Sequence, residues 1–173
     1  KSDPRIAPFF FENLVLDRLT QKEGLKLGGA ISLPLVFSEE ENLTMQTTQL
    51  AEGVLYRPTS GHFPSIDACG VVGGVTYLIQ VTKARRHARI HHNHVQHLEL
   101  QSIHQVVGLY IHPSEDCKTT LVHVRNKKTK ERLTIGHDEA LNGVVFKELQ
   151  VHPEGLFDHF DAQVKDIFCR SGI

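Results

Sequence analysis

Gly73-Gly74 is the feature that most restricts what this chain can become. It lies between two apolar, β-branched runs, Phe63-Pro64-Ser65-Ile66-Asp67-Ala68-Cys69-Gly70-Val71-Val72 and Val75-Thr76-Tyr77-Leu78-Ile79-Gln80-Val81-Thr82-Lys83. A two-residue Gly-Gly loop between such runs specifies a tight β-hairpin, because only glycine readily takes the positive φ angles of the favoured turns. The hairpin has an acid, Asp67, in its first arm and an amide followed by Lys83 at the end of its second. Folding the arms together brings these ends close. A carboxylate, a second oxygen ligand and a Lys at one hairpin end can hold a divalent metal against a phosphate. The plainer alternative is that Asp67 and Gln80 only satisfy strand ends.

A second polar residue is out of place upstream. Pro8 to about Leu19 reads as a helix, with Phe11, Leu14, Val15, Leu16 and Leu19 on one broad arc at 100° per residue. Glu12 falls inside that arc, whereas Asn13 and Asp17 fall opposite. A Glu on an apolar face is costly unless it is paired, hydrogen-bonded or metal-bound. The alternative is a partly exposed Glu in the first turn, where the helix dipole favours acids.

Between these features the chain reads as a strand meander. Gly24 to Leu35 is a turn and a short extended piece, and Gly53 to Arg57 is a strand stopped by Pro58. Ser38 to Asn42 reads as an acidic, solvated loop. After the hairpin, Lys83, Arg85, Arg86 and Arg89, with His87, His91 and His92, form the densest basic segment. Its position suggests a phosphate clamp, against the blander reading of a solvated loop entering a helix. His92 to about Val106 then reads as a second helix, and Val107 to His112 as either extended or the helix end. Thr119 to Arg125 and Glu131 to Ile135 form a second hairpin with a Lys-rich tip. Leu156, Phe157, Phe160, Val164, Ile167 and Phe168 mark a closing amphipathic helix.

Composition narrows the class. At 173 residues, residues 1–173 are expected to form one domain with a real core, and the start at Lys1 suggests excision from a longer protein. A net charge of −1 gives no global basic signature, so any nucleic-acid contact must use a local patch. Three scattered Cys fit a reducing compartment better than a disulfide scaffold. No transmembrane run is visible, so no membrane partner is expected. His91, His94 and His97 recur every third residue, but the third rotates away from the first two and no Cys stands nearby, which disfavours zinc.

The order of these pieces resembles the PD-(D/E)XK, or restriction-endonuclease-like, fold: a mixed central sheet flanked by helices, of α/β class. Within it the chain is most similar to the nuclease-like domain of Crinkler effectors and retrotransposon hot spot proteins. The resemblance is carried by Phe11-Glu12, Leu55-Tyr56-Arg57-Pro58, Phe63-Pro64-Ser65-Ile66-Asp67 and Leu78-Ile79-Gln80-Val81-Thr82, and spans about residues 9 to 105. It implies a metal-dependent phosphodiesterase acting on DNA or RNA. Glu12, Asp67 and Gln80 would hold Mg²⁺ or Mn²⁺, Lys83 would stabilise developing charge, and Arg85, Arg86 and Arg89 would hold flanking phosphates. It further implies a nucleic-acid partner, DNA before RNA, a homodimer as one assembly, and an intracellular, nuclear location. Two departures stand out. Gln80 occupies the place of the usual Glu, and Thr82 that of the usual Lys. The alternative is therefore a catalytically degenerate module that binds nucleic acid or a host protein.

Overall fold

A computed structural model describes residues 6–26, 34–59, 63, 66–81, 105–112, 122–125, 132–135, 140–141 and 144–151. Helix α1 spans Ile6–Leu19. Its expected apolar arc is real: Phe11, Val15, Leu16 and Leu19 are fully buried and Leu14 nearly so. Each such side chain contributes about 2 kcal/mol through removal from water. Arg18 in the last turn complements the negative end of the helix dipole.

Strands β1 (Leu25–Lys26) and β2 (Pro34–Leu35) make a small antiparallel pair. The main sheet contains β3 (Glu39–Leu43), β4 (Val54–Pro58), β5 (Ala68–Val72), β6 (Val75–Val81), β7 (Gln105–His112), β10 (Ala140–Leu141) and β11 (Val144–Gln150). Its spatial order is β10-β11-β7-β6-β5-β4-β3. Strands β4, β5 and β6 form an antiparallel meander, while β6, β7 and β11 run parallel at its centre. The sheet is therefore mixed, and the fold is of the α/β kind expected. Strands β8 (Val122–Arg125) and β9 (Arg132–Ile135) pair antiparallel, as the second hairpin requires.

The central hairpin forms as the glycines dictate. Val72 stands opposite Val75, with Gly73 at φ 60° and Gly74 at φ 72°. These consecutive left-handed residues present two N–H groups to one side, and the Glu52 carboxylate takes both, at 2.5 Å from Gly73 N and 3.4 Å from Gly74 N.

The sheet is covered differently on its two faces. Alternation sends Leu55, Ala68, Ile79, Val81 and Leu109 to the α1 face, where they join the helix core. Val54, Tyr56, Cys69, Leu78 and Tyr110 form a second core on the far face. Burial pushes the free Cys69 thiol up, which leaves it un-ionised and inert.

Two expectations need correction. Glu39 to Asn42 is not a loop but most of β3, paired in parallel with β4 at the sheet edge. Charges suit an edge strand because they deter further pairing, so acidity alone was no evidence against a strand. Gln105 and Val106 belong to β7 rather than to the end of a helix. Strand β7 is buried on both faces from Val106 to His112, so its sequence is a continuous apolar run with neither helical nor alternating period. Strand β11 was not anticipated: Val144, Phe146 and Leu149 are buried while Lys147 and Gln150 are exposed, and Lys-Glu in the middle of the run hides its strand character. The remainder of the second helix, the closing helix over 156–168 and the basic tip at 126–130 lie outside the described residues.

Candidate functional site

The site begins where β5 begins. Asp67 immediately precedes that strand, and its N–H donates to the Ile79 carbonyl at 2.9 Å. Ile79 is also the register partner of Ala68. Two consecutive residues thus address one, an offset of the bulge kind that re-aims a side chain at a strand end. Unbroken alternation would place Asp67 with Cys69, on the face away from α1. Instead its Oδ2 accepts the Val81 N–H at 2.6 Å, extending the ladder by a side chain beyond the last backbone pair.

This environment is unfavourable to charge. Burial pushes the Asp67 carboxyl up, the Val81 hydrogen bond opposes that rise, and the Glu12 charge adds to it, leaving a pKa of about 6. Glu12 is likewise shifted upward by burial, with the Arg57 guanidinium pulling it back down. The two carboxylates are therefore close enough for the charge of one to act on the other. The helix supplies Glu12, the hairpin supplies Asp67, and α1 packs on the sheet face that brings them together.

Arg57 is the member of this group that sequence reading did not assign. It lies on β4 and alternates with Leu55 onto the α1 face. Its Nη2 donates to Asn13 Oδ1 at 2.7 Å. Its Nη1 stands 3.7 Å from Asp17 Oδ1 and 3.6 Å from Glu40 Oε1. The visible signal was the helical spacing of Asn13 and Asp17, which places both on one side of α1.

Gln80 is placed otherwise. On β6 it alternates with Thr76 and Leu78, and Leu78 packs in the far-face core. Gln80 therefore belongs to the face opposite α1, directly beside Tyr110 in the β7 register. Among the described residues its buried Oε1 has no hydrogen-bond partner, nor do the buried Thr76 Oγ1 and His112 Nδ1. The structure brings Glu12, Asp67 and Arg57 together and does not place Gln80 on their side of the sheet. Lys83, Arg85, Arg86 and Arg89, with Thr82, lie outside the described residues.

Among the described residues no three His, Cys, Asp or Glu side chains group as a metal-holding set. A cation here would take the two carboxylates and complete its shell with water or substrate oxygens, the habit of Mg²⁺. The residues fit that role in one physical respect: two carboxylates whose ionisation is opposed by burial, and in Asp67 also by the Glu12 charge, are relieved by a positive ion.

Among the described residues no helix is long and apolar enough to cross a membrane. Comparison with family models, with curated proteins and with solved structures finds no match to this chain.

Proposed function

We propose that the chain is a metal-dependent phosphodiesterase acting on nucleic acid, DNA before RNA. The observation that carries this reading is the electrostatic coupling of Glu12 and Asp67 at the open end of the central hairpin. The element order supports it: a Glu-bearing helix, a meander and a central hairpin in a mixed sheet follow the sequence the restriction-endonuclease-like resemblance implies.

In this proposal Glu12 and Asp67 hold Mg²⁺ or Mn²⁺. Gln80 belongs to the opposite face of the sheet, so the proposal rests on the two acids. The chemistry such a cation supplies when bound is polarisation of a phosphate oxygen and activation of water. Hydrolysis joins a water oxygen to phosphorus and breaks one P–O ester bond, with the leaving oxygen taking a proton. Asp67, anchored by Val81 N–H, is held at the strand end, and the Arg57 charge offsets part of the cost that burial puts on the Glu12 charge. Lys83 is proposed to stabilise developing charge, and Arg85, Arg86 and Arg89 to hold flanking phosphates. A single nuclease-like domain, a nuclear location and a homodimer belong to the same proposal.

The test is cleavage of single- and double-stranded DNA and RNA with Mg²⁺ or Mn²⁺ against EDTA, for wild type and Asp67→Ala. Metal-dependent cleavage lost in a folded Asp67→Ala chain is the expected result. The placement of Gln80 on the far face favours a second reading, a degenerate module that binds nucleic acid without cutting it. Salt-sensitive binding with no cleavage under any metal would establish that reading instead.

A further inference from the structure

We propose that Arg57 and Asn13 form a positioning pair that holds helix α1, and with it the Glu12 carboxylate, over the open end of the β5–β6 hairpin. This deepens the metal-site reading above and rests on it for its functional meaning.

The geometry assigns the role. Helix α1 approaches the sheet from a distant part of the chain, and apolar packing alone leaves a helix some freedom to slide and roll, since hydrophobic contact is non-directional. A directional tie is needed to set one carboxylate against another. The 2.7 Å bond from Arg57 Nη2 to Asn13 Oδ1 is such a tie, between adjacent residues of Glu12 and the second strand of the main sheet in chain order. It is part-buried, whereas the flanking acids are open to water, with Asp17 59% and Glu40 43% exposed at 3.7 and 3.6 Å. Long, exposed ion pairs of this sort hold little. The hydrogen bond to Asn13 is therefore the member of the cluster that can fix the helix, and the acids at its margin only steady the guanidinium. The planar fork of Arg57 lets one nitrogen serve Asn13 while another faces Asp17 and Glu40, a division that a Lys ammonium cannot reproduce in the same geometry. The Arg57 charge also acts on Glu12, opposing the upward shift that burial imposes on it.

The experiment uses the full chain, Mn²⁺ as the probe, and four proteins: wild type, Asn13→Ala, Arg57→Lys and Asp17→Asn. Asn13→Ala and Arg57→Lys both retain the positive charge, so a change in affinity reports position rather than lost electrostatics. Roughly tenfold weaker Mn²⁺ binding is expected for both, the usual effect of removing a group that orients a ligand. Asp17→Asn should bind as wild type does. Wild-type affinity in both Asn13→Ala and Arg57→Lys, at temperatures where they remain folded, overturns the proposal. If the wild-type chain itself does not bind Mn²⁺, the metal reading falls, and amide hydrogen exchange of α1 decides the positioning role. Faster exchange across α1 in Asn13→Ala and Arg57→Lys, but not in Asp17→Asn, upholds it, and unchanged exchange overturns it.

Discussion

Asp67 Oδ2 accepts the Val81 N–H at 2.6 Å, so a side-chain carboxylate takes the place that the next backbone carbonyl would have in the β5–β6 ladder. The strand end is thereby closed by a group that can carry charge. Two consequences follow for Asp67: it is fixed in position, and it is fixed in a place where ionisation is opposed.

That opposition makes stability depend on pH in a definite direction. The folded-state pKa of Asp67 is about 6, against an ordinary value of 3.8. Between these values the folded chain holds a proton that the unfolded chain has released, so this group's contribution to stability falls as pH rises from about 4 to 6. Asp67→Asn keeps an acceptor for Val81 N–H and cannot ionise. It should stabilise the metal-free protein by about 3 kcal/mol at pH 7, with the gain nearly gone at pH 4. Urea unfolding of both proteins at pH 4 and pH 7 measures this. Equal stabilities at pH 7 would place Asp67 in a better-solvated site than the structure shows.

Gly70 is required by space, not by backbone angle. A β-carbon there would meet the Phe37 ring and the Val54 carbonyl oxygen, and the latter is backbone of the neighbouring strand. Gly70→Ala should cost about 2 kcal/mol through forced displacement in a packed core. A thermal or chemical unfolding curve matching wild type would show that β4 and β5 can separate slightly at little cost.

The hairpin tip offers a different kind of test. Gly73 and Gly74 have open space where a β-carbon would stand, so only their φ angles of 60° and 72° oppose substitution. Ala at either position should cost about 1 kcal/mol. Glu52→Ala removes the acceptor of both turn amides and should cost a similar amount, about 1 kcal/mol. The Glu52 and Gly73 effects should be non-additive in a double-mutant cycle, because both act on one turn.

The basic segment is tested by salt. Reversing charge at Arg85, Arg86 and Arg89 should weaken nucleic-acid binding with little dependence on sequence. It should also flatten the dependence of affinity on salt, since each lost phosphate contact on duplex DNA removes about 0.9 from the slope. Reversal at Lys127, Lys128 and Lys130 is the comparison and should matter less. Equal slopes for wild type and the arginine variant would remove the clamp and leave a protein-binding surface ahead.

Helix α1, the Gly73-Gly74 hairpin and the β8–β9 hairpin were legible in the amino-acid sequence because their information is local. A 3.6-residue arc or a turn flanked by alternating residues can be read within one short window. Strands β3 and β11 were not, and β7 only as one of two readings of Val107 to His112, because what makes them strands is their neighbours: an edge position that tolerates three Glu, two covered faces that erase alternation in β7, or a parallel partner for the Lys-bearing β11. The candidate site divides along the same line. Glu12 was conspicuous as an acid on an apolar arc, and Asp67 as an acid entering a strand. Their coupling needed the tertiary structure, since it depends on which face of the sheet α1 covers and on the offset that turns Asp67 out of strict alternation. Gln80 shows the converse: its alternation with Leu78 was readable, but only packing revealed that Leu78 faces away from the helix. Arg57 had no local oddity to betray it, because its partners Asn13, Asp17 and Glu40 lie on other elements. The sequence by itself determined which segments are amphipathic and where the chain must turn. Tertiary structure alone decided which polar residues meet, because hydrophobic burial selects faces without regard to sequence distance, and charges interact only once those faces have closed.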